Sequence, residues 1–93
     1  MRLDIDKIEC VKKDDLLRMI LDLRGAYIHD TGHTPTKIKM SRDTFDRIQS
    51  YADCYHHLFC RYDEFANCMK YQLCGMNVVF DDEMKGVEVY HDM

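Results

Sequence analysis

The residues best suited to chemistry lie in "CYHHLFC", residues 54–60, where Cys54, His57 and Cys60 recur at three-residue steps. On a helix such steps place neighbours near one face, and thiolate with imidazole is a zinc donor set. The same three side chains spread over roughly 120° of a helical surface. A structural zinc site also needs a fourth protein ligand, which Cys68, Cys74 or a distant histidine would have to supply. No paired C-x-x-C spacing occurs, so packing of Cys54 and Cys60 at a helix edge is the preferred reading over metal binding. Cys–His catalysis needs a thiolate, a base and an orienting group. With five cysteines and five histidines in the chain, no one combination stands out.

Paired acids occur at Asp14-Asp15, Asp63-Glu64 and Asp81-Asp82-Glu83. General acid–base work requires a desolvated carboxyl, whereas adjacent acids at a helix start or in a turn are solvated caps and turn formers. The 81–83 cluster lacks the alternate-position acids and intervening glycine of a calcium loop. P-loop, dinucleotide-fingerprint, nucleophile-elbow and HExxH motifs are absent from the sequence. No catalytic, cofactor-binding or metal-binding residue is therefore assigned. The protein is expected to be non-enzymatic and without a cofactor.

Charge is unevenly placed. Residues 1–80 hold twelve Lys/Arg and twelve Asp/Glu, while residues 81–93 hold five acids against Lys85 alone. The whole net charge of −4 thus sits in the last thirteen residues. Nucleic-acid binding calls for a basic excess, so none is expected, although a balanced chain has room for a local basic face. At 46% hydrophobic and 32% charged residues the composition is that of a folded chain. Ninety-three residues suggest a single domain spanning 1–93. No apolar run approaches the ~20 residues of a membrane span, and "MRLDIDKIEC" has acids where a signal peptide has its apolar core. The expectation is an intracellular protein with its five cysteines reduced.

Several elements must position these residues. "LDIDKIECV" alternates at Leu3–Asp6, and reads either as a short strand or as a lead-in to a helix. In "DDLLRMILDLRGAYIHDTG", Asp14 is the expected N-cap, and Leu16, Met19, Ile20, Leu23 and Tyr27 form an apolar stripe. Thr31-Gly32 stops that helix, and Pro35 bars its continuation. "TKIKMS" predicts a strand with Ile38 and Met40 on one side. Ser41 then caps a second helix with the stripe Phe45, Ile48, Ala52, Tyr55 and Phe59, reaching to about Tyr62. "DEFANCMK" reads as a further helical turn or two with Phe65 and Met69 inward. "YQLCGMNVVF" and "VEVY" read as strands joined by the charged loop "DDEMKG", a β-hairpin. The sum is an α+β fold, with two amphipathic helices packed on a small sheet that includes this C-terminal β-hairpin. Tyr51, Tyr55, Tyr62, Tyr71 and Tyr90, with several methionines, offer an adaptable apolar contact surface, and hence self-association.

The stretch "TKIKMSRDTF" followed by "YQLCGMNVVFDDEMKGVEV" resembles a segment of the major capsid proteins of tailed bacteriophages, and small proteins of phages and prophages. In that family a strand ending in Met-Ser or Met-Asn precedes a helix that opens with an aromatic residue, matched here by Met40, Ser41, Thr44 and Phe45. A later "LLGxPVVxxDxMP" stretch is matched by Leu73, Gly75, Val78, Val79, Asp82 and Met84. The resemblance covers about residues 36–90. Met76-Asn77 stands where the family often has a residue and proline, and Lys85 replaces a second proline. A capsid subunit also needs a long spine helix and an extended loop, so what is implied is a shared local unit and no active site. The resemblance implies paired strands, with Val78 and Phe80 on one face of a strand paired with Val87–Tyr90 and Asp81–Glu83 exposed.

The expectation is a phage- or prophage-like structural or accessory protein working through protein contacts, self or other, in particle assembly. It would be cytoplasmic in a bacterial host or virion-associated, with no membrane or nucleic-acid partner. The first alternative is a small acidic regulatory or inhibitory module read through Asp81, Asp82 and Glu83. The second is a metal-binding domain using Cys54, His57 and Cys60.

Overall fold

The computed structural model describes residues 2–4, 13–50 and 58–91, without side chains for residue 4 and residues 13–16. Two helices and six strands follow in the order β1 (Arg2–Asp4), α1 (Lys13–Thr31), β2 (Lys37–Met40), α2 (Arg42–Gln49), β3 (Leu58–Asp63), β4 (Cys68–Leu73), β5 (Met76–Phe80) and β6 (Gly86–Tyr90). The strands form one mixed sheet in the order β1-β6-β2-β5-β4-β3. The β2–β5 pair is parallel and the others are antiparallel. The fold is of the α+β class.

α1 begins one residue before Asp14, which therefore lies inside the helix rather than capping it. Of its stripe, Ile20 and Leu23 are buried in the core and Tyr27 packs against it, as does Leu17. It ends as the sequence suggests: Gly32 takes a φ of 72° and its N–H donates to the Ile28 carbonyl at 2.8 Å. Farther along, the Tyr27 hydroxyl accepts from the His91 N–H at 2.9 Å, tying the end of α1 to the end of β6. Ser41 caps α2, its hydroxyl accepting from the Thr44 N–H at 3.2 Å. Phe45 and Ile48 turn inward.

The core is one layer between the helices and one sheet face. Ile38 and Met40 of β2, Val87 and Val89 of β6, and Leu73 and Met76 of the β4–β5 turn region are fully buried against Ile20, Leu23, Phe45 and Ile48. Phe45, Tyr71 and Phe80 make a tilted and edge-on aromatic cluster at its side. Because side chains alternate across a strand, the register places Lys37, Lys39, Arg61, Lys70, Asn77 and Val79 on the opposite face. No described helix covers that face.

Three expectations change. First, β6 lies where the last strand was expected, but the single strand expected over 71–80 is broken at Cys74-Gly75 into the antiparallel β4 and β5. Val78 and Phe80 do share a face, but β5 and β6 are not bonded to each other. β2 lies between them, parallel to β5 and antiparallel to β6. The loop 81–85 crosses the end of β2, where the Asp81 N–H donates to the Met40 carbonyl at 2.9 Å. The reason is that β2 is apolar enough at Ile38 and Met40 to take a central place, and there both its backbone edges are satisfied. Second, α2 stops at Gln49. Phe59 and Tyr62 belong to a strand, while Ala52 and Tyr55 fall outside the described residues. Third, "DEFANCMK" is a turn and strand, not a helix, and Phe65 and Met69 are exposed rather than inward. Here cross-strand pairing overrode local helical spacing.

Candidate functional site: a projecting hairpin and the cleft beside it

Among the described residues, the hairpins are β3–β4 and β4–β5, in the middle of the sequence. Cys74 and Gly75 have φ of 52° and 79°, the pair of positive values that a two-residue type I′ turn requires. They join Leu73 to Met76. At the other end of β4, a four-residue turn links Asp63 to Cys68. One carboxylate oxygen of Asp63 accepts from the Phe65 and Ala66 N–H groups at 2.9 and 3.2 Å. The other lies 3.2 Å from the Lys70 ammonium. The Ala66 N–H, then Lys70 and the Phe65 N–H, hold this carboxyl below its ordinary pKa. Asn67 supplies the left-handed residue at φ 54°, and accepts a hydrogen bond from the Tyr62 hydroxyl.

This β3–β4 hairpin forms the edge of the sheet. It carries four of the exposed large apolar side chains: Phe59 at 65%, Tyr62 at 52%, Met69 at 44% and Phe65, wholly exposed, at the tip. Tyr62 and Met69 sit opposite each other on the face the helices cover elsewhere, and Phe59 is on the other face. Apolar surface therefore shows on both sides and at the end. β4 pairs with β5 only at Gln72–Asn77 and Leu73–Met76. Beyond those pairs the strands part and leave a cleft of about 680 Å³. Lys37, Arg42, Arg61 and Lys70 line it together with Phe59, Phe80 and other apolar or neutral residues, and no acidic side chain. The Arg42 guanidinium lies 4.3 Å from the centre of the Phe80 ring.

The residues singled out from the sequence fall apart here. Cys60 is exposed on β3, while Cys54 and His57 lie outside the described residues, so the single helical face expected for the three is not what carries Cys60. Among the described residues no group of three His, Cys, Asp or Glu side chains stands close enough to hold a metal. Cys68 is exposed and Cys74 half-buried, where burial pushes its thiol pKa up. Asp82 and Glu83 are exposed and Asp81 half-buried. The Asp81 carboxylate accepts from the Glu83 N–H at 3.1 Å, and Asp82 lies 3.5 Å from the Arg42 backbone nitrogen. The hairpin and the cleft escaped sequence reading. Their signals were Cys74-Gly75 between two apolar residues and the Asp63–Asn67 turn.

Among known proteins, the chain matches no family model, no curated protein and no solved structure. Among the described residues no helix is long and apolar enough to cross a membrane.

Proposed function

We propose that this chain is a non-enzymatic protein that acts through protein contacts, as a phage- or prophage-like structural or accessory component of particle assembly in a bacterial cytoplasm. The observation that carries the reading is the β3–β4 hairpin, a sheet edge with no further strand among the described residues, bearing Phe59, Tyr62, Phe65 and Met69 in the open. Natural sheets blunt or cover their edges, and an exposed apolar cluster on an edge marks an association surface. Phe65 buries nothing within the chain, so its cost in solubility has no folding benefit to offset it. The likeness of residues 36–90 to a capsid-protein segment supports assembly as the setting.

The test is association of the full chain, alone and with candidate assembly proteins, measured by light scattering and by cross-linking with mass mapping. Phe59→Ser/Phe65→Ser is expected to reduce association at least tenfold and to leave the circular dichroism spectrum unchanged. Cross-links that avoid residues 58–69, or binding indifferent to this pair of substitutions, would overturn the reading.

A further inference from the structure

We infer that the cleft between β4 and β5 takes the acidic 81–83 turn of a second copy of this chain, forming a two-fold dimer. This deepens the proposal of function through protein contacts and rests on it. The first observation is the cleft itself. Lys37, Arg61 and Lys70 line it from the face opposite the helices, Arg42 lines it beside the Phe80 ring, and no carboxylate lines it. Arg61 and Lys70 are direct cross-strand partners. Like charges so placed repel, and Asp63, 3.2 Å from Lys70, offsets one of the two. An anion entering the cleft relieves that repulsion.

The second observation is that the chain carries the complementary group. Residues 1–80 are neutral in sum, and the whole net charge of −4 resides in 81–93. Asp82 and Glu83 present it on an exposed turn. That turn starts directly after Phe80, which lines the cleft. Donor and acceptor surfaces are therefore neighbours, and one two-fold axis between them seats both turns in both clefts. Interfaces matched in charge are salt-sensitive and register-specific.

The experiment uses the full chain with two charge-reversed variants, Arg42→Glu/Arg61→Glu and Asp82→Lys/Glu83→Lys. Mass is measured by sedimentation or light scattering, and folding by circular dichroism. Wild type is expected at twice the chain mass in low salt, with its dimer constant weakened about tenfold or more by 0.5 M salt. Each variant alone is expected to be a folded monomer. Their equimolar mixture is expected to recover the dimer, because both turn–cleft contacts again join opposite charges. Failure of the mixture to recover overturns the inference. So does a dimer indifferent to salt and to both variants; if Phe59→Ser/Phe65→Ser abolishes that dimer, the apolar hairpin holds it and the proposed function survives. A monomer at every salt concentration that retards a labelled 12-nucleotide single strand, and loses this with Arg42→Glu/Arg61→Glu, reassigns the cleft to nucleic acid.

Discussion

Cys74 and Gly75 decide the path of the chain between two strands. Both take left-handed backbone angles, and only glycine does so without steric cost. A Cβ at Gly75 meets nothing within 4 Å, so Gly75→Ala tests the backbone alone. It is expected to destabilise by about 1–2 kcal/mol, or roughly 4–8 °C in melting temperature per kcal/mol for a domain of this size, measured by thermal denaturation. Cys74 itself is legible as a turn residue only in hindsight, because cysteine has no turn preference. Its half-buried thiol, held neutral by desolvation, makes a poor nucleophile. Ser41 was legible at once: a serine between a strand ending in Met40 and the acid-rich start of a helix is a cap by chemistry alone.

At the scale of elements, the β3–β4 hairpin depends on Asp63. Its carboxylate is bound by two turn N–H groups and by Lys70. Because these hold the folded pKa below the ordinary value of 3.8, the stabilisation is full above that value. It is lost as the pH falls below it and through the lowered folded pKa. Asp63→Asn is expected to melt below wild type at pH 7, with the gap closing as the pH is taken toward 2. A gap that stays constant with pH refutes this role. The hairpin was misread as helix because Phe59, Tyr62, Phe65 and Met69 recur at three- and four-residue intervals. That spacing marks a helix only if the side chains are buried on one face. Here they are exposed, on both sides of a ribbon. The pattern marks exposed side chains rather than a buried helical face.

At the scale of the molecule, the proposed association surface and the buried core use different residues. Ile38 is fully buried in the central strand, and Ile38→Ala is expected to cost about 2–5 kcal/mol, a large share of the margin of a small domain. Phe65, wholly exposed, is expected to tolerate Phe65→Ser within about 0.5 kcal/mol of wild type while losing association. Urea titration of both variants separates the two. A core side chain that proved tolerant, or a tip side chain that proved essential to folding, would contradict the division.

By itself the sequence determined what depends on near neighbours: α1 and its glycine stop, β2 with Ile38 and Met40 inward, the Ser41 cap, the position of β6, and, of the expected exposure of Asp81–Glu83, that of Asp82 and Glu83. These follow from periodicity, capping and turn chemistry, which act over a few residues. Only the tertiary structure decided which strands meet. Nothing local to "DDEMKG" distinguishes a hairpin loop from one that steps over a strand, because the inserted strand lies more than thirty residues away in the chain. The cleft was equally out of reach, since Lys37, Arg42, Arg61 and Lys70 come from three strands and a helix start. In a chain whose first eighty residues are neutral in sum, the pairing of strands is what brings basic side chains from both sides of the β4–β5 gap to line one cleft.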